Sequence, residues 1–271
     1  MARQTTWTEA DLADLRRAVR LLEGNNLVVR LTAMFGRTIE HVAAPGMRLL
    51  PASAREAIHS ALERAFSTAF DAAAKTVGRR TGMGWLDRVL RARWINMVTA
   101  MMSGAGGGLA GLPGVIVELP FTTTVLMRAI AQVAAEEGED VRTAETKLEC
   151  LQVFALGSPS IADDEADLGY YAVRLGFARA LGGLAGRTLN QALPQAMAVT
   201  ATRFGVPVAY KVAAETVPVI GAAAGAAINA LFVDHFQAKA RGHFTVRRLE
   251  REYGEAEVHR EYDAVLDELF P

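Results

Sequence analysis

The chain has 271 residues, 51% of them hydrophobic, and its 29 Lys and Arg nearly balance its 30 Asp and Glu, for a net charge of −1. A chain of this length buries a core without staples, and the balanced charge leaves no positive field to gather phosphates, which argues against nucleic acid as a partner. A single cysteine, Cys150, excludes an internal disulfide, and the excess of Ala, Leu and Val over aromatic residues favours helices.

In chain order, residues 1–20 carry charge throughout and lack the apolar core of a secretory signal, so a cytoplasmic protein is expected. Thr8 is placed to cap a helix that runs through Leu12, Leu15, Val19 and Leu22. Glu23-Gly24-Asn25-Asn26 then interrupts it, and a second helix over residues 27–42 ends before Pro45. A third begins after Pro51, with Ser53 as a candidate cap and Ile58, Leu62, Ala65, Phe66 and Ala69 as an apolar stripe. The Gly-punctuated residues 79–84 read as a linker.

From residue 97 to 135 the only charges are Glu118 and Arg128, and residues 104–114 are rich in glycine and end in Leu112-Pro113-Gly114. Two apolar helices joined by a bend are expected there, with Pro113-Gly114 cutting the helix. After the acidic residues 136–140, Thr143 and Glu145 open an amphipathic helix that contains Cys150. The chain becomes apolar again beyond Arg174, and residues 217–233 form seventeen positions without a charge, the lower edge of a membrane span. The basic residues Lys239, Arg241, Arg247, Arg248 and Arg251 follow in a tail expected to be a solvated helix or helix pair.

No catalytic constellation emerges. Residues 106–111 match G-x-G-x-x-G, but a dinucleotide site needs a preceding strand, an unbroken helix and a carboxylate about twenty residues on. The acidic run Asp163 to Asp167 has Leu168 where a calcium loop needs glycine. Among the histidines only His235 and His243 can approach one helical face, and neither has the carboxylate of a metal motif beside it. Cys150 reads as a buried, inert thiol. No metal and no cofactor are therefore expected.

Glu118, Arg128 and Asn229 stand out as polar groups in apolar surroundings, where a bare charge costs several kcal/mol. They are candidate ligand or lipid contacts, with an internal structural role as the competing reading. Glycines one turn apart, Gly104 with Gly108, Gly182 with Gly186 and Gly221 with Gly225, mark candidate close helix contacts.

Residues 106–130, GGGLAGLPGVIVELPFTTTVLMRAI, followed by LECLQVFALG at 148–157, VPVIGAAAGAAIN at 217–229 and FTVRRL at 244–249, resemble the EcsC family of bacterial proteins in their order and spacing. The resemblance extends from about residue 21 to 253 and supplies no catalytic or binding residues. It implies proximity to a membrane, because the founding member is the operon neighbour of an ABC transporter.

The expected fold is all-α, a multi-helix bundle with Gly/Pro-broken apolar hairpins at its centre. It is organised as a single EcsC-like domain over 1–271, with amphipathic helices to residue 90, an apolar core to 233 and a charged tail beyond. The expected function is that of a non-enzymatic accessory protein at the cytoplasmic membrane face, partnered by lipid or by a membrane protein such as an ABC transporter. A soluble helical protein that binds an apolar ligand is the second reading, and a hydrolase with a site assembled from distant residues is the third.

Overall fold

The computed structural model describes residues 6–24, 27, 30, 52–76, 111–158, 169–182, 188–215 and 221–270. The described elements are all helices, so the chain is an all-α bundle. They are α1 (Glu9–Glu23), α2 (Ala52–Thr76), α3 (Gly111–Glu136), α4 (Ala144–Gly157), α5 (Tyr170–Ala180), α6 (Leu189–Glu215), α7 (Gly221–Tyr253) and α8 (Glu255–Leu269). Of the helix expected over 27–42 only Leu27 and Arg30 are described, both of them helical, and the linker at 79–84, the first arm of the apolar hairpin at 97–110 and the acidic turn at 163–167 lie outside the described residues.

Two helix starts follow from local chemistry. The Thr8 hydroxyl accepts from the Asp11 amide at 3.1 Å, and the Thr143 hydroxyl accepts from the Thr146 amide at 3.2 Å, so each satisfies an amide with no partner inside its helix. Ser53 behaves differently from expectation: α2 already begins at Ala52, so Ser53 stands inside the first turn.

The proline expected to cut the 111–136 segment does not cut it. Pro113 and Gly114 lie in the first turn of α3, where the missing amide would have had no helical partner anyway. The helix continues through Pro120, which removes the bond that residue 120 would donate to the carbonyl of Ile116. In α6, Pro194 and Pro207 are carried in the same way.

The largest departure concerns the tail. α7 is 33 residues long, about 50 Å at 1.5 Å per residue, and it runs from the charge-free segment straight through the region expected to be solvated. Its positions Phe236, Ala240 and Phe244 are spaced one turn apart and buried in the main core. Val246 and Leu249 join Leu15, Val19 and Leu22 of α1 and Val258, Tyr262 and Val265 of α8 in a second cluster. The basic residues occupy the flank of this helix and leave its apolar stripe intact. Gly254, at φ +92°, supplies the left-handed residue between α7 and α8.

The main core is centred on Phe154, which meets Phe66 and Phe204 edge-on at 5.0 Å each and Phe236 at 5.1 Å. Two glycines permit close approaches. A Cβ on Gly157 would fall 2.4 Å from the Phe236 ring, and one on Gly242 would fall 2.6 Å from Leu22 Cγ. Of the expected glycine pairs, Gly104, Gly108 and Gly186 lie outside the described residues. Gly182 follows the end of α5 with φ +72° and so ends a helix instead of packing within one. Gly221 is the first residue of α7, and Gly225, one turn later, is buried.

Candidate functional site

The polar cluster with the most apolar setting is built from three helices. α3 contributes Glu118 and, one turn on, Thr122; α6 contributes Lys211 and α7 contributes Asn229, all of them buried. The Lys211 ammonium donates to Glu118 Oε2 and, at 2.8 Å, to Asn229 Oδ1. The Asn229 amide donates to Glu118 Oε1 at 2.6 Å and contacts Thr122 Oγ1 at 3.3 Å. Thr122 also donates to Glu118 Oε1 at 2.5 Å. Burial alone would raise the Glu118 carboxyl, but the Lys211 charge and the hydrogen bonds from Lys211, Thr122 and Asn229 outweigh it and hold the group below its ordinary value. The result is a mutually bonded unit whose carboxylate is ionised and accepts hydrogen bonds on both oxygens.

Two of the three polar residues singled out in the sequence, Glu118 and Asn229, therefore meet. Arg128 lies ten residues beyond Glu118 on the same helix, about 15 Å along its axis, and is half-buried, with its guanidinium lowered by burial. Lys211 and Thr122 were missed. The signal for Lys211 was present: it is the only charge in residues 204–214, an apolar stretch interrupted by Pro207, and the same desolvation argument applies to it.

A second buried cluster surrounds His243. Its Nε2–H donates to Glu149 Oε2 at 2.9 Å, and its Nδ1 accepts from the Tyr170 hydroxyl at 3.0 Å. Arg174 reaches Tyr170 at 3.3 Å and Glu250 at 2.5 Å. Burial leads the lowering of His243, and the nearby Arg174 and Arg247 reinforce it against Glu149, so the ring is neutral. His235, two turns away on α7, gives its Nε2–H to the Gly157 carbonyl at 2.9 Å. Burial, with help from Lys239, pulls it down to about 3. The two histidines thus serve different neighbours, and among the described residues no group of three His, Cys, Asp or Glu is placed to hold a metal ion. Cys150 is 2% exposed, and burial pushes its thiol far up, which leaves it without thiolate character.

Four basic residues of α7, Lys239, Arg247, Arg248 and Arg251, are bonded internally. Lys239 donates to the Leu22 carbonyl. Arg247 bonds Glu139, Glu145 and Glu149 at 3.0, 2.8 and 2.9 Å, and Arg248 bonds Asp11, Asp14 and Glu137 at 3.1, 2.7 and 3.0 Å. Arg251 pairs with Glu139 and donates to the Glu137 carbonyl at 2.7 Å. These guanidinium groups tie α7 to α1, α4 and the 137–140 turn.

What α3 presents outward is apolar. Val117 is 80% exposed and Phe121, one turn later, is 49% exposed, directly beside the inward-facing Glu118 and Thr122. Within this helix, residues 116–136 are long and apolar enough to cross a membrane, and no second such helix occurs among the described residues; 67% of its apolar window is buried within the protein.

No curated protein and no solved structure matches the chain. The family model of the EcsC protein family matches residues 25–249, which take in α2 through most of α7, the Glu118 cluster and all of the His243 cluster but Glu250. The chain is therefore a member of the EcsC protein family.

Proposed function

We propose that this EcsC family member is a non-enzymatic accessory protein that rests on the cytoplasmic face of a membrane, with the outer face of α3 against the acyl region of the lipid. The observation that carries the reading is the pair Val117 and Phe121, exposed one turn apart on the most apolar described helix. Large apolar side chains paired on one exposed face favour an apolar neighbour. The internal pairing of Arg247, Arg248 and Arg251 gives the contact its character: apolar burial drives it, and anionic headgroups add little.

Flotation with vesicles of uncharged phosphatidylcholine tests this reading. The wild-type protein is expected to float with the vesicles equally at low and high salt, and Val117→Ser/Phe121→Ser to float several-fold less. Wild-type protein that stays at the bottom of the gradient with both uncharged and anionic vesicles overturns it. The burial of 67% of the α3 window favours a second reading, the core helix of a soluble protein, and that outcome would establish it.

A further inference from the structure

The second hydrophobic cluster has the build of a helix and its seat. Leu15, Ala18, Val19 and Leu22 lie on one face of α1 and are buried with Val246 and Leu249 of α7 and Val258, Tyr262 and Val265 of α8. The floor of the seat is open at Gly242, where a Cβ would fall 2.6 Å from Leu22 Cγ and 3.1 Å from the Ala18 carbonyl oxygen. Donors at both ends of the seat meet carboxylates of α1. Arg248 donates to Asp11 and Asp14 at 3.1 and 2.7 Å. At the other end the Tyr170 amide and the Tyr262 hydroxyl both donate to Glu23 Oε1, at 3.0 and 2.6 Å. The Tyr170 amide opens α5, and Gly169 before it has no side chain to cap that helix, so this donor depends on an acceptor brought from elsewhere. Gly242, Val246, Arg248, Leu249 and Tyr170 fall within the family-matched residues 25–249, whereas α1 falls outside them.

From this arrangement we infer that the seat is a helix-binding groove, filled in cis by α1, and that its partner is a protein presenting an amphipathic helix of the same pattern, which exchanges with α1. The pattern is set by the groove. Its apolar anchors take the spacing of Leu15, Val19 and Leu22, the i, i+4, i+7 spacing by which a helix lies in a groove. Carboxylates at the positions of Asp11 and Asp14 meet Arg248, and one at the position of Glu23 meets Tyr170 and Tyr262. A helix without the first two acids leaves Arg248 with Glu137 alone, and one without the last leaves the Tyr170 amide without its acceptor. The apolar face of α1 belongs to the second cluster and not to the core around Phe154, so α1 leaves its seat as a local opening while the main core stays closed. The groove is independent of the lipid contact of α3.

The test uses the full chain and a fluorescent peptide of residues 6–24, with binding read by anisotropy. Leu15→Asp/Leu22→Asp places charge on the buried face of α1 and leaves the groove intact, so this variant is expected to bind the peptide many-fold more tightly than wild type, whose groove is filled. Asp11→Asn/Asp14→Asn loosens α1 without touching its apolar face and is expected to bind the peptide several-fold more tightly than wild type. Gly242→Leu also displaces α1 but fills the floor of the groove, and it is expected to bind no better than wild type. That third variant separates a vacated groove from a loosened protein that captures any helix. If Leu15→Asp/Leu22→Asp loses its fold, Asp11→Asn/Asp14→Asn decides. The groove is overturned if the folded α1 variants take up the peptide no better than wild type, if Gly242→Leu takes it up as well as they do, or if a scrambled peptide of the same composition binds them equally.

Discussion

At the scale of single residues, the fold places four polar groups where a lone one would be intolerable. The apolar runs around Glu118 and Asn229 were legible in the sequence, and so was the need for partners, but the partner Lys211 is 93 residues away from Glu118. Helical spacing cannot link such positions; only the crossing of α3 and α6 does. Because the pair is buried, removing one member should cost far more than removing both. Lys211→Met is expected to lower unfolding stability by about 3–5 kcal/mol, and Glu118→Gln/Lys211→Met to recover much of the loss, as measured by urea denaturation. Equal losses in the single and double variants would show that shape, and not charge balance, dominates. A second residue-scale expectation concerns acid. His235 has a folded value of about 3 against an ordinary 6.5, so the unfolded chain takes up a proton that the folded protein refuses. Its contribution to stability is complete above pH 6.5 and is lost as pH falls from there toward 3, with His243 acting in the same direction. Glu118 and Glu149, both held below their ordinary 4.5, add losses only once pH drops under that value. His235→Gln, which keeps a donor for the Gly157 carbonyl, should therefore flatten the fall in stability between pH 6.5 and 4.5, as read by denaturation midpoints across that range.

At the scale of elements, starts were easier to read than lengths. Thr8 and Thr143 cap their helices because capping is a contact over three residues, wholly local to the sequence. The extent of α7 was hidden because its basic residues suggested solvent. Their guanidinium groups instead reach acids on α1, α4 and the 137–140 turn, and a charge run reveals nothing about where its counter-charges will be. The continuity of α3 was obscured by Pro113, whose place in the first turn makes it harmless. The close approaches described for Gly157 and Gly242 set a single glycine against a large side chain. Gly242→Ala is expected to cost about 1–3 kcal/mol by forcing Leu22 away from α7, measured as a lowered urea midpoint with the helical signal retained. An unchanged midpoint would mean that α1 shifts on α7 without penalty.

At the scale of the whole molecule, an all-α fold was legible from composition and periodicity, and the family from the order of four spaced segments. Ile228, Leu231, Phe232 and Val233 of the second apolar segment are buried in the core, whereas the outer face of α3 carries Val117 and Phe121 exposed one turn apart. The central claim is that this face meets lipid, and depth-dependent quenching tests it most directly. With a fluorophore on Phe121→Cys, in a Cys150→Ala background, and vesicles of phosphatidylcholine brominated on its acyl chains, the account predicts quenching by the lipid and protection from iodide in water. A label that remains open to iodide and untouched by bromine on vesicle-bound protein would contradict it.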